Sequence, residues 1–291
     1  MKRVVLAIGL IMAVVLAAPV SAQWILVPMD RAQENHLRAY GLTYWTLEQE
    51  ERGEWLLNYR GGSFLLPDRP SIRREAALRG VSIELMSASA EARMRATILG
   101  ANMEAVPLER APKVAIYTPP NSTPWDDAVT MALEYAGIEY ETIWDDDVIE
   151  GGLDEYEWIH LHHEDFTGQY SKFFLTYSGA PWLQEEVARN QEVARTGGVA
   201  DVPALKKAVA RTIRQYVEDG GFLFAMCSAT ETLELALASE NVDIAAAYSD
   251  GTPPDPDASS KMDWDLAMAF EGAQVQVAPS VNAFSDIDGH Q

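Results

Sequence analysis

The chain has 291 residues, with 44 acidic against 22 basic side chains and a net charge of −22. That balance repels nucleic acid and an anionic membrane surface, so neither is expected as a partner. A single cysteine excludes an internal disulfide and leaves its thiol buried, reactive or joined to another chain.

At the N-terminus Lys2 and Arg3 precede an almost wholly apolar run, Val4–Ala18, and Val20-Ser21-Ala22 closes it with small residues. This is the layout of a secretory signal peptide over residues 1–22, with cleavage expected after Ala22. The run is short for a spanning helix and no second one follows, so an exported protein with no membrane span is expected. Losing Lys2 and Arg3 leaves 20 basic residues against 44 acidic ones, a net charge of −24. The whole chain has only six Lys, so its basic residues are mainly Arg; such a surface stays soluble when salt screens it.

Residues 23–108 read as a small α/β unit. Trp24–Pro28 is an expected strand. Asp30 caps an expected helix that ends at Gly41, and Leu42–Leu47 is an expected strand. Trp55–Asn58 and Ser63–Leu66 flank Tyr59-Arg60-Gly61-Gly62, a hairpin pattern in which Arg60 is available to a carboxylate. A helix from Pro70 to Gly80, a strand Val81–Met86 and a helix Ser89–Gly100 follow. Pro107–Pro112 marks the boundary.

Residues 109–291 are more regular. Expected strands at Lys113–Thr118, Ile138–Ile143, Trp158–His162 and Phe222–Met226 alternate with helices at Trp125–Ala136, Ala204–Glu218 and Ser228–Ala238. That alternation predicts a mostly parallel, doubly wound α/β sheet. A long excursion, His163–Pro203, interrupts it. Asp145-Asp146-Asp147 reads as a solvated acidic loop without the Asp/Asn-Gly spacing of a calcium loop. Gln274–Ala278 is an expected strand. The turn-like ending at Asp286–Gln291 reads as a chain cut short of a closing element.

The chemistry concentrates at two places. In DGGFLFAMCSATETLELAL (Asp219–Leu237), Cys227 stands where a strand passes into a helix, with Ala225 and Ala229 two residues to either side. Small residues suit a tight strand-to-helix turn. Ser228 and Glu231 fit a capping box, and the helix N-terminus favours a thiolate and offers N–H groups to an oxyanion. The alternative is an inert, buried cysteine. His160-Leu161-His162-His163-Glu164 ends the third strand, at the same sheet edge. Alternation puts His160 and His162 on one face, while His163 can serve Cys227 as base. His162, His163 and Glu164 are a second reading, as ligands of a divalent metal. Their spacing matches no zinc signature, so no metal and no cofactor is assigned. Asn121, in the loop after the first strand, completes the residues expected to line this edge.

The run GGFLFAMCSAT and the strand–helix rhythm before it resemble the nucleophile elbow of the class I glutamine amidotransferase-like superfamily, over roughly Lys113–Ala247. The resemblance implies a flavodoxin-like sheet, with Cys227 as nucleophile in amide hydrolysis. Members that cleave glutamine carry a Gly-rich turn after the cysteine and His and Glu partners downstream; here Ser228-Ala229-Thr230 follows, and the only downstream histidine, His290, has no Glu near it. The stretches LLNYRGGSFLLPD and YTPPNSTPWDDA resemble exported bacterial proteins labelled asparagine synthetase B. The N-terminal catalytic cysteine and the pyrophosphate loop of such a synthetase have no counterpart in this chain. Two functions stand open: a cysteine-dependent amide hydrolase, or a binding or scaffold module that takes a small-molecule or peptide ligand on the same fold.

Overall fold

The computed structural model describes residues 23–123 and 127–287; the expected signal segment and His290 lie outside them. The described residues divide into two compact units. One is built from residues 23–111 with 131–138, the other from 112–123, 127–130 and 139–287. No helix among the described residues is long and apolar enough to cross a membrane.

The first unit is an antiparallel five-stranded sheet in the order β4-β1-β3-β2-β5. Its strands are β1 (Trp24–Val27), β2 (Gly53–Leu57), β3 (Ser63–Pro67), β4 (Glu84–Met86) and β5 (Glu104–Leu108); its helices are α1 (His36–Glu48), α2 (Pro70–Arg79) and α3 (Ala88–Leu99). β1 and β3 are apolar on both faces, because each face meets a helix layer. Ile25, Val27, Phe64 and Leu66 pack with Ala39, Leu42, Ile72 and Ala76 of α1 and α2. Leu26 and Leu65 face the other way, onto Met94 and Ile98 of α3. Arg60 is not free for a ligand. It pairs with Asp30 at 2.7 Å and Glu84 at 2.8 Å and fastens the β2–β3 turn.

The expected break at Gly41 and the strand at Leu42–Leu47 are both wrong: α1 runs through them, capped by Asn35, whose side chain accepts from Arg38 N–H. Gly41 lies inside the helix because a Cβ there would stand 1.8 Å from the Ala136 carbonyl oxygen. It is a close-approach glycine, not a stop. Gly41→Ala is therefore expected to destabilise by about 1–3 kcal/mol through overpacking, read as a lower urea midpoint. Helix propensity alone predicts the opposite sign, so a stabilised variant refutes the close approach.

The second unit contains a parallel four-stranded sheet in the order β7-β6-β8-β9: β6 (Val114–Tyr117), β7 (Glu141–Ile143), β8 (Trp158–Leu161) and β9 (Phe222–Ala225). The helices are α4 (Ala128–Ala136), α5 (Asp145–Ile149), α6 (Phe174–Tyr177), α7 (Pro181–Thr196), α8 (Val202–Glu218) and α9 (Ser228–Ala238), followed by two four-residue helices, Ala247–Asp250 and Ala258–Lys261. The C-terminal part of α4, from Met131, clusters with the first unit. An α/β chain with a parallel sheet is thus what folds. The core joins the sheet to α8 and α9 through Ala115, Tyr117, Ile159, Leu161, Leu205, Val209, Ile213, Leu233 and Leu237.

Three expectations need correction. The long excursion holds a 16-residue helix, α7, opened by Pro181 and burying Leu183, Asn190 and Ala194. The triple aspartate is not a solvated loop: it starts α5, Asp147 accepts from the Trp144 N–H, and Asp145 is fully buried. Gln274–Ala278 forms no strand; Val275 makes a single bridge to Ser285, because the chain turns away after one pairing.

Candidate functional site

Parallel strands direct their C-terminal ends, and the loops that follow, to one edge. At that edge β9 ends with Met226 N–H on the Leu161 carbonyl, and the chain reverses at Cys227. Cys227 has φ 51° and ψ −140°, a left-handed conformation that a side-chain-bearing residue adopts only when its surroundings enforce it. The enforcing bonds are visible. Ala229 N–H donates to the His162 carbonyl, Ser228 Oγ donates to the His163 carbonyl, and Thr232 Oγ1 donates to the Glu164 carbonyl. The first turn of α9 is thereby tied to the end of β8, and the cysteine between them is exposed.

The predicted capping box does not form. Cys227 occupies the cap position with no side-chain cap bond, Ser228 has turned to His163, and the buried Glu231 accepts from Ser285 Oγ. A partner distant in the chain has displaced the local one.

The histidines separate by face, as alternation requires. His160 is fully buried; its Nδ1–H donates to the Phe224 carbonyl at 3.0 Å and its ring stacks on Phe224. Burial lowers its pKa, against the opposing pull of Asp127. His162 Nδ1 donates to Asp127 Oδ2 at 2.6 Å, and His162 N–H donates to Glu164 Oε2 at 2.9 Å. Asp127 is aimed by its other oxygen, which accepts from Val129 N–H at 2.5 Å at the start of α4. Burial works to raise the Asp127 pKa; the Val129 bond and His162 outweigh it and hold the carboxyl below its ordinary value. Burial raises the Glu164 pKa. His163 is exposed and, among the described residues, its ring has no hydrogen-bond partner. No hydrogen bond joins it to the thiol.

Among the described residues, Asp127, His160 and His162 are the side chains whose ligand-type atoms converge; His163 and Glu164 do not join them. Asp127 was missed because it lies 33 positions before His160 and looks like an ordinary helix-start acid. Asn121 takes no part, since its Oδ1 accepts from Arg189 at 2.8 Å.

A cavity of about 250 Å³ opens beside His163 and Glu164, lined also by Trp144, Tyr170, Glu186, Asn190 and Lys206. Among the described residues, Trp144 Nε1, Tyr170 Oη and Asn190 Oδ1 are buried without a partner. Burial raises the Glu186 pKa. Sequence reasoning passed over this cavity because most of its walls come from the uninterpreted excursion, with Trp144 and Lys206 brought to them from the N-cap of α5 and from α8. Compared with known protein families, curated proteins and solved structures, the chain finds no match.

Proposed function

We infer that the second unit is an exported amidotransferase-like domain with a flavodoxin-like sheet, hydrolysing an amide bond through Cys227. The observation that carries this reading is the strained, exposed turn at Cys227, held between the end of β8 and the first turn of α9. The strand order, with β7 on one side of β6 and β8 and β9 on the other, supports it. In this reading Sγ attacks the carbonyl carbon while the thiol proton passes to His163. The carbonyl becomes an oxyanion facing the elbow. The Ala229 and Thr230 N–H groups are already bonded to the His162 and Cys227 carbonyls, so the Ser228 N–H is the first-turn amide left for it. Collapse transfers the proton to the leaving amine and leaves a thioester, which water hydrolyses back to thiol and acid.

Alkylation tests the thiol. Iodoacetamide near neutral pH should modify folded Cys227 at least as fast as a free-cysteine peptide, because the turn leaves the thiol exposed. Ammonia release from small primary amides should vanish in Cys227→Ala. A folded thiol slower than the peptide would overturn the assignment.

A second reading is favoured by the 250 Å³ cavity with its three buried, unpartnered polar atoms: a module that binds a small polar ligand without turning it over. An unreactive thiol would leave this reading in place.

A further inference from the structure

His160 has an electron pair with nowhere to go. The Phe224 carbonyl only accepts, so the His160 proton sits on Nδ1 and Nε2 carries the lone pair. His160 is fully buried, and its Nε2 has no hydrogen-bond partner among the described residues. Asp127 Oδ2, 3.6 Å from it, is also an acceptor. Two atoms with lone pairs thus lie within 3.6 Å of each other. His162 Nδ1 lies 2.6 Å from the same carboxylate oxygen. One ligand-type atom from each of the three residues lies within 4.8 Å of the other two.

We propose that Asp127, His160 and His162 form a zinc site that binds one Zn²⁺ through Asp127 Oδ2, His160 Nε2 and His162 Nδ1, with the fourth position open to water or a ligand. Zinc sits about 2.0–2.2 Å from such atoms, which places tetrahedral ligands roughly 3.3 Å apart. The 3.6 Å edge between His160 and Asp127 is close to that spacing. The shorter His162–Asp127 edge is a hydrogen bond that lengthens when the metal replaces the Nδ1 proton, which moves to Nε2. Two imidazoles and one carboxylate suit zinc and its first-row neighbours, whereas Mg²⁺ and Ca²⁺ prefer all-oxygen cages.

The outer shell is already built. The Phe224 carbonyl fixes the His160 tautomer, and the Val129 N–H orients Asp127. The position is also apt. Asp127 follows β6, His160 lies in β8 and His162 directly follows it, and β6 and β8 are the two neighbouring strands from which the sheet order runs in opposite directions. Open parallel sheets bind ligands outside the strand ends at such a point. A small cavity of about 70 Å³, lined by Asp127, Thr130, His163 and Glu164, reaches the site.

The test uses the full chain after chelator treatment, titrated with Zn²⁺ in a calorimeter. One zinc per chain is expected, with no saturable heat from Mg²⁺ or Ca²⁺. Losing an outer-shell partner alone costs 10–100-fold in affinity, so Asp127→Asn and His160→Gln should each weaken binding by at least about 100-fold. Cys227→Ala should bind as the parent does, which separates this site from the thiol chemistry. Since His160 is buried, near-ultraviolet circular dichroism checks each fold; if His160→Gln does not fold, the isosteric Asp127→Asn decides. Co²⁺ should give the visible absorption of a four-coordinate N/O site. Absence of saturable zinc binding would overturn the proposal, as would undiminished binding in both ligand variants. Loss of zinc in Cys227→Ala would overturn it too, by moving the ion to the thiol.

Discussion

Lys206→Met is expected to cost about 3–5 kcal/mol, because it leaves a buried carboxylate without its counter-charge. Lys206 Nζ lies 2.9 Å from Asp145 Oδ2 and 3.0 Å from Oδ1, and both side chains are almost wholly buried, at 4% and 0% exposure. The Tyr117 hydroxyl donates to the same carboxylate and the ammonium sits 4.1 Å from the Trp144 ring centre, so the pair joins β6, α5 and α8. Burial, then the Asp145 charge, drives the Tyr117 pKa well above its ordinary value, which keeps the hydroxyl a donor. A domain of this size loses about 2–4 °C in melting temperature per kcal/mol, so calorimetry should register a drop of roughly 6–20 °C. Removing both charges in Lys206→Met/Asp145→Leu should recover at least half of it, since the penalty belongs to the stranded ion and not to the missing attraction. A single variant that melts within about 2 °C of the parent would contradict this account of the core.

The second large effect is expected at Asp165. Its Oδ1 accepts from the Thr167 N–H and hydroxyl at 2.7 and 2.6 Å, and its Oδ2 from the Gln169 and Ser171 N–H groups at 2.9 and 2.8 Å. One buried carboxylate thus organises a loop whose backbone is left-handed at Gly168, Tyr170, Ser171 and Lys172. Three consecutive residues with side chains in that region are a strained arrangement that decays without its restraints. Asp165→Ala strands four donors. Each buried unsatisfied group costs about 1–3 kcal/mol before relaxation, so a net loss of about 3 kcal/mol is expected. Amide exchange at Thr167, Gln169 and Ser171 should rise sharply, because the loop opens locally before the unit unfolds. Asp165→Asn, which keeps one acceptor oxygen, should fall between the two. Unchanged exchange in Asp165→Ala would show that packing, not the carboxylate, shapes the loop. Tyr170 and Ser171 also line the 250 Å³ cavity, so any ligand that binds there should bind more weakly to this variant.

Much of the second unit was legible in advance. The apolar runs at VAIYT and GGFLF, each bounded by Gly or Pro, mark parallel strands: β6 lies inside the first and is buried, and β9 begins in the second, at the sheet edge, with Phe222 and Phe224 exposed. The reversal at Cys227 was legible for a related reason: Ala225 and Ala229 flank a point where the chain passes from strand to helix within two residues. Gly41 misled, because a glycine within a helical pattern is read locally as a break; what it answers to here is a carbonyl 95 positions away, at Ala136. Ser228 and Glu231 misled in the same way. Their spacing satisfies a local rule, yet Ser228 bonds to His163 and Glu231 to Ser285.

The sequence by itself determined the elements whose formation depends on neighbours within a few residues: the alternating strands and helices, the tight turn at the lone thiol and the facing of His160 with His162. Backbone preference and side-chain periodicity act over that range, so they can be read along the chain. Tertiary structure alone decided which distant charges meet, joining Asp127 to His160 and His162, Lys206 to Asp145 and Glu231 to Ser285. A buried charge must find a partner wherever the fold delivers one, and that requirement leaves no local pattern behind it.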